Sequence, residues 1–125
     1  MTENKTTAKS YRDLIIWQEA IKIAKEVYIL TDRFPHHEVY GLVSQLKRAA
    51  VSVPSNIAEG QARRLPGEFR HFLRIALSSL AEIDTQLVLA CELGYVGESD
   101  INNLDSAIIE LRKKIYALIK TLPGQ

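Results

Sequence analysis

Four stretches of the chain carry apolar residues at the spacing of an α-helix, and no other feature restricts the fold as strongly. In the third stretch the apolar line contains Phe69, Phe72, Leu73, Ala76, Leu77, Leu80, Ile83, Leu87, Ala90 and Cys91. At roughly 100° per residue, these positions share one helical face. No stretch shows the period of two that marks a half-buried β-strand. The chain is therefore predicted to be all-α.

Local signals place the ends of the first two helices. The first helix is expected to begin after Asp13, whose side chain can cap a helix N-terminus, and to end at residues 34–35, Phe-Pro. The second is expected to run from about Glu38 to Gly60. Pro54 falls inside it, and the apolar spacing resumes in phase beyond this residue. We therefore expect a kink at Pro54 rather than a helix end.

The third and fourth helices have equally clear limits. Pro66 is a favoured residue for a first helical turn, and Gly94 provides a C-terminal stop. Ser99 is expected to cap the fourth helix, which ends before Pro123. Four amphipathic helices with short links predict an antiparallel, up-down-up-down four-helix bundle. The bundle domain is expected over residues 13–123, after a flexible N-terminal tail over residues 1–12.

The composition indicates a protein of the reducing cytoplasm. Cys91 is the only cysteine and lies in an apolar helical line, so no internal disulfide can form. No stretch approaches the ~18 consecutive apolar residues of a membrane span. Residues 1–10 lack the apolar core of a signal peptide. We therefore expect a cytoplasmic protein without a membrane partner.

Few residues offer catalytic or metal-binding chemistry. Glu68 and His71 have the Glu-x-x-His spacing of di-iron bundles, but such a site needs a second pair and two further glutamates. The sequence has no Gly-x-Ser-x-Gly motif and no glycine-rich phosphate loop. We therefore predict a protein that is not an enzyme and that holds no metal or cofactor.

The net charge of +1 conceals an uneven distribution of charge along the chain. Residues 47–74 hold six basic and two acidic residues, residues 75–111 hold seven acidic and no basic ones, and residues 112–125 hold four basic ones. Arginine forks match phosphate oxygens, so the first block is a candidate nucleic-acid site. Its basic residues are Lys47, Arg48, Arg63, Arg64, Arg70 and Arg74. Alternatively, these side chains are solvated or pair with acidic residues of a neighbouring subunit.

Two further surfaces are candidates for an oligomer or partner interface. The first helix carries an apolar arc of about 200°, wider than the burial of one face requires, and Ile15 and Ile29 lie on its otherwise polar side. The interface candidates on this helix are Ile15, Trp17 and Ile29. The second helix carries a polar stripe of small and amide-bearing residues. The stripe consists of Gln45, Arg48, Ser52, Ser55, Asn56 and Glu59. Such a stripe predicts either tight packing against a helix, within the bundle or between subunits, or a surface that recognises a partner.

Two segments resemble a known bacterial family. Residues 11–18, YRDLIIWQ, are similar to the opening signature of the small four-helix-bundle proteins encoded within intervening sequences of 23S rRNA. Residues 40–60, YGLVSQLKRAAVSVPSNIAEG, resemble the most distinctive segment of that family. Arg63-Arg64 and Glu68-Phe69 continue the likeness, which covers roughly residues 11–96.

The resemblance implies a homo-oligomer, a pentameric ring in known relatives. It also implies kinship with the accessory variability protein of diversity-generating retroelements, which binds nucleic acid and a reverse transcriptase. We therefore expect a non-enzymatic homo-oligomeric bundle that binds structured RNA, with ribosomal RNA as one candidate, through an arginine-bearing rim. The alternative is an interaction scaffold that recruits a partner protein through the polar stripe of the second helix.

Overall fold

The computed structural model describes residues 10–124, and the prediction of an all-α fold is confirmed for them. Four helices follow one another along the chain: α1 (Ile15–Thr31), α2 (Leu42–Arg63), α3 (Pro66–Glu92) and α4 (Glu98–Thr121). Short 3-10 turns at Tyr11–Asp13 and His36–Glu38 precede α1 and α2. Over the described residues α1 and α3 each contact α2 and α4, but neither α1 and α3 nor α2 and α4 contact each other. This closed cycle of contacts is a four-helix bundle around one apolar core.

The start of α1 differs from the prediction. Asp13 does not cap the helix, because it lies in the preceding 3-10 turn. The Ser10 side chain accepts a hydrogen bond from the Arg12 N–H and begins that turn. Leu14, in an extended conformation, is the residue that precedes α1. Residues 1–9 of the predicted flexible tail lie outside the described residues.

The predicted cap of α4 is also wrong by two residues. The N-cap is Gly97 rather than Ser99, which lies inside the first turn. The reason is Asp100, whose carboxylate accepts the Gly97 N–H at 2.7 Å. Asp100 also pairs with Arg33 at 2.9 Å, so one carboxylate caps α4 and joins it to the end of α1.

The start of α2 lies four residues later than predicted. Glu38 belongs to a 3-10 turn, and its Oε1 accepts the N–H of Leu42, the first residue of α2, at 3.0 Å. A Cβ on the intervening Gly41 would lie 2.6 Å from the same oxygen, so a larger residue there would require the Glu38 carboxylate to shift. The Glu38 side chain therefore caps α2 from outside the helix.

The predicted stop at Gly94 has a clear structural basis. Gly94 has a φ of +77°, in the left-handed region that favours glycine. The Tyr95 N–H donates to the Ala90 carbonyl and the Gly94 N–H donates to the Cys91 carbonyl, each at 3.0 Å. These two bonds form a Schellman motif, which satisfies carbonyls that the end of α3 would otherwise leave unpaired.

Contacts between helix ends fix which segments are neighbours. Arg33, just after α1, pairs with Asp100 at the start of α4, whereas Arg70 near the start of α3 donates to the Pro123 carbonyl after α4. This order of contacts favours the antiparallel arrangement. Pro54 is buried within α2, which continues through it to Arg63. The kink expected there stays a prediction.

The closest approach between helices is that of α2 and α3. A Cβ on Gly60 would lie 2.8 Å from the Phe72 Cβ and 3.0 Å from the Phe69 ring, so no other residue fits without movement. Two turns earlier, the Ser79 hydroxyl donates to the Ser52 hydroxyl at 2.8 Å. Small residues therefore let these two helices pack closely.

The surface between α3 and α4 contains two facing carboxyl groups, Asp84 and Asp105. One oxygen of Asp105 is shielded from solvent and has no hydrogen-bond partner, and no lysine or arginine among residues 10–124 forms an ion pair with either aspartate. Burial raises the pKa of Asp105, and the charge and hydrogen bond of Asp84 add to the effect. The bundle therefore holds a carboxyl pair without a cation.

Replacement of Gly60 by alanine should destabilise the protein. The new methyl group collides with Phe72 and Phe69, and overpacking of this kind costs about 1–3 kcal/mol. The helix propensity of alanine offsets about 1 kcal/mol of this cost. We expect the free energy of unfolding, measured by urea denaturation, to fall by up to about 2 kcal/mol. Gly67→Ala is the matched control: its Cβ meets only an Arg70 nitrogen at 4.0 Å, so stability should not fall.

The carboxyl pair predicts a specific dependence of stability on pH. Because the folded-state pKa of Asp105 is raised, its contribution to stability is fully present below the unfolded-state pKa of about 3.9 and is lost as pH rises through the folded-state value. Measured at a protein concentration low enough to keep the chain monomeric, Asp105→Asn should therefore raise the melting temperature at pH 7, by about 2 °C, and this gain should vanish below about pH 4. Glu110→Gln, an exposed site on the same helix, should show no such gain. An equal gain at both pH values would contradict a raised pKa of Asp105 in the folded protein.

Candidate nucleic-acid interface

The fold separates basic from acidic residues along the length of the bundle. The helix-end contacts bring residues 10–13, 59–74 and 112–124 together, and this basic half carries nine basic and three acidic residues. The acidic half, made of residues 32–41 and 84–105, carries one basic and seven acidic residues. Helices α2, α3 and α4 span roughly 33–40 Å, so the outer ends of the two halves are separated by several Debye lengths.

Arg63 lies in the basic half but is held by neighbouring carboxylates. Its guanidinium donates to Glu59 at 3.0 and 3.2 Å and to Glu68 at 3.0 Å, and it stacks 5.1 Å from the centre of the Phe72 ring. The hydrogen bond to Glu59 raises the pKa of Arg63. Two carboxylates surround one cation, so the cluster is negative overall. Arg63 therefore joins the end of α2 to the start of α3 rather than presenting a free charge.

Arg70 is occupied by the C-terminal end of the described chain. Its Nη2 donates to the Pro123 carbonyl at 2.7 Å and approaches the Leu122 carbonyl at 3.5 Å. The Nε atom is shielded from solvent without a hydrogen-bond partner. Carbonyls carry no full charge, so the positive charge of Arg70 is not neutralised by these contacts.

Arg64 and Arg74 are also exposed in this region. Arg64 follows α2 with a φ of 64°, a left-handed conformation in which glycine is usual. A non-glycine residue there costs stability, and such strain is concentrated at functional positions. Arg74 is exposed on α3, and no ion pair involving it occurs among the described residues.

Lys47 and Arg48 do not join this group. They lie near the start of α2, about 24 Å along the helix from Arg63 and Arg64. The Lys47 ammonium lies 4.8 Å from the centre of the Tyr28 ring, and the Arg48 guanidinium lies 3.5 Å from the Ser44 hydroxyl. The six basic residues therefore form two separate sets.

The polar stripe of α2 is largely used inside the bundle. Ser52 bonds with Ser79 of α3, and the Asn56 amide donates to the Ser52 carbonyl at 2.8 Å and hydroxyl at 2.9 Å. Gln45 accepts a bond from Gln86 of α3 at 3.3 Å. Ser55 is exposed. Of the two interpretations of the stripe, this geometry favours tight packing within the bundle.

The three interface candidates of α1 lie in different surroundings. Ile15 and Ile29 are about half exposed, at 49% and 54%. Trp17 is partly buried against the core. The centre of the Tyr11 ring lies 5.4 Å from the centre of the Trp17 ring, and the Arg12 guanidinium lies 6.0 Å from the centre of the Trp17 ring. Of these three candidates, only the two isoleucines are therefore exposed enough to offer apolar surface to another copy.

The basic end of α4, around Tyr116, was not among the candidate site residues chosen from the sequence. The contact of Arg70 with Pro123 and the facing of Asp84 and Asp105 set the register of α3 and α4, which places Arg74 level with the turn that holds Tyr116. Tyr116 is 48% exposed and lies between basic residues of α4: Arg112, Lys113 and Lys120. In the sequence, the basic block at residues 112–125 was the signal that could have indicated this region, but only the fold places that block level with Arg74.

The described chain offers little for metal chemistry or membrane insertion. Among residues 10–124, no three His, Cys, Asp or Glu side chains lie close enough together to hold a metal ion. Within the same residues, no helix is sufficiently long and apolar to span a bilayer.

Comparison with known proteins agrees with the architecture. The chain is similar to a solved structure from Bacteroides thetaiotaomicron VPI-5482, described as a protein with unknown function from the S23 ribosomal protein family. The TM-score is 0.76 at 20% sequence identity, over 86% of this chain and 100% of the other, which shows the shared fold. No curated protein matches the chain.

The family is shown by the sequence. The family model of the 23S rRNA-intervening sequence protein matches residues 12–117, which include all of α1, α2 and α3 and most of α4. The chain therefore belongs to the 23S rRNA-intervening sequence protein family.

Proposed function

We propose that this protein is a non-enzymatic, cytoplasmic homo-oligomer that binds structured RNA through its basic half. The observation that carries the proposal is the union of three chain segments into one region with nine basic and three acidic residues. Local positive charge of this kind attracts a polyphosphate backbone even when the whole protein is nearly neutral.

The residues of the basic half have distinct roles in this proposal. Arg74 and Arg64 are the exposed groups that contact phosphate oxygens, for which the arginine fork is well suited. Tyr116 offers an exposed ring on which an unpaired base can stack. Arg63, held by Glu59 and Glu68, positions the α2–α3 link, and Arg70 holds the end of α4 in place.

Assembly into a homo-oligomer would multiply a weak contact. One copy offers a few phosphate contacts, whereas a ring repeats them and gains avidity. Half-exposed isoleucines on the outer side of α1 support such an assembly, since they would be buried between copies. A pentamer is the form that the family resemblance implies.

The family name points to the class of RNA. Intervening sequences of 23S rRNA are a natural candidate, and the solved relative bears the name of a ribosomal protein family. A structured fragment of ribosomal RNA is therefore the first ligand to use, with an unrelated hairpin of equal length beside it.

RNA binding should depend steeply on salt, and Arg74 should account for part of that dependence. Phosphate contacts release counterions, so affinity measured by filter binding should fall as potassium chloride rises. Arg74→Gln should weaken binding and lower the slope of log K against log salt by about one for each subunit that contacts RNA. Lys22→Gln, the same loss of one charge on exposed α1, should change neither quantity.

Two results would contradict the proposal. One is a flat salt response of the wild-type protein. The other is an affinity for RNA that Arg74→Gln and a Lys113→Gln/Lys120→Gln variant leave unchanged. If nuclease-treated protein instead retains a protein from a bacterial lysate, the scaffold alternative gains support.

A further inference from the structure

The carboxyl pair between α3 and α4 lies at the centre of a surface with apolar sides. Val88 is four residues beyond Asp84 on α3, and Ile109 is four residues beyond Asp105 on α4. Both are well exposed, at 51% and 46%. Since residue numbers rise along α3 as they fall along α4, these two residues lie on opposite sides of the aspartates. We call Val88, Asp84, Asp105 and Ile109 the acidic seam.

The acidic seam lacks the group that its chemistry requires. One oxygen of Asp105 is shielded from solvent and unpaired, and among residues 10–124 no cation neutralises either aspartate. Two carboxylates held face to face repel each other, and because both aspartates are only partly buried, a cation from outside the chain can approach the pair and offset this repulsion. The half-exposed Val88 and Ile109 favour a partner that is apolar around its cation.

The outer side of α1 carries the complementary pattern. Ile21, Lys25 and Ile29 are spaced four residues apart and therefore form one diagonal row on the helix. Ile21 is 41% and Ile29 is 54% exposed, and Lys25 is exposed without an ion pair among the described residues. We call these three residues the α1 row.

The two surfaces also match in length. Eight helical residues separate Ile21 from Ile29, a rise of about 12 Å. Val88 and Ile109 each lie four residues from the carboxyl pair in opposite directions, about 12 Å apart along the helix axes, and packed helix axes lie about 8–10 Å apart. Each surface thus presents an apolar group, a charge and a second apolar group at a similar spacing, and the charges are opposite.

We infer that the α1 row of one copy docks on the acidic seam of a second copy, with Lys25 as the cation between Asp84 and Asp105. Ile21 and Ile29 then pack against Val88 and Ile109. The two surfaces differ, so the contact is heterologous, and every copy keeps one surface of each kind for the next copy. Contacts of this type form a ring when the rotation between successive copies closes. The inference rests on the proposed homo-oligomer and names the surfaces that form it.

Charge reversal tests this contact without altering the core. Lys25→Glu, at an exposed position, should weaken self-association at least ~10-fold, measured by sedimentation velocity over a concentration series. Lys25→Arg keeps the charge and should leave the association constant unchanged. Lys25→Glu combined with Asp84→Lys and Asp105→Asn reverses both partners, because the seam then carries one positive charge, and should restore the mass of the wild-type assembly. Circular dichroism confirms that each variant is folded.

The outcomes separate this contact from the proposed function. A monomeric wild-type protein would overturn both the contact and the proposed homo-oligomer. An intact oligomer in Lys25→Glu, or failure of the folded triple variant to reassociate, would overturn the contact alone. The RNA affinity of monomeric Lys25→Glu is measured separately. An affinity below that of the wild-type assembly, with the salt dependence retained, supports the contact and leaves the basic half as the RNA site.

Discussion

The close approach of α2 and α3 is the constraint on which the rest of the bundle depends. Gly60 lies against Phe72 with no space for a Cβ, and Ser52 and Ser79 meet two turns away. This packing fixes the depth at which α3 lies in the core and the position from which Arg63 reaches Glu68. It also uses the small residues of α2 within one chain, which removes them as a surface for partners. The outer side of α1 and the α3–α4 seam are the surfaces that remain.

Charge separation follows from connectivity rather than from any single motif. The basic blocks around residues 59–74 and 112–124 are far apart in sequence, with the acidic block between them. Because the chain folds back at the α3–α4 loop, the two basic blocks meet and the acidic block occupies the other half. A net charge of +1 therefore describes neither half. The basic half attracts a polyanion and the acidic half repels it, so the two ends of the bundle carry electrostatic potentials of opposite sign.

Much of the fold follows from the sequence, because helical periodicity is a local property. The limits of α3 were predictable from Pro66 and Gly94, residues whose backbone preferences act without help from distant contacts. The errors arose where a side chain, rather than a backbone preference, sets the end of a helix: Asp100 accepts the Gly97 N–H, and Glu38 caps α2 across Gly41. The candidate site shows the same limit. Charge blocks indicated arginines, but they do not tell that Arg63 is held by two carboxylates, and the common level of Tyr116 and Arg74 along the bundle depends on the register of α3 and α4.

The hydrogen bond from Arg70 to the Pro123 carbonyl fixes the C-terminal end of α4 within the basic half. A fluorophore attached after Pro123 would lie beside Arg70 and within one or two helical turns of Lys120. Its emission would respond to whatever occupies the basic half. An affinity tag in the same place would extend over that surface and compete for it. Labels intended to be silent therefore belong at the opposite half, for instance at Tyr40, which is almost fully exposed.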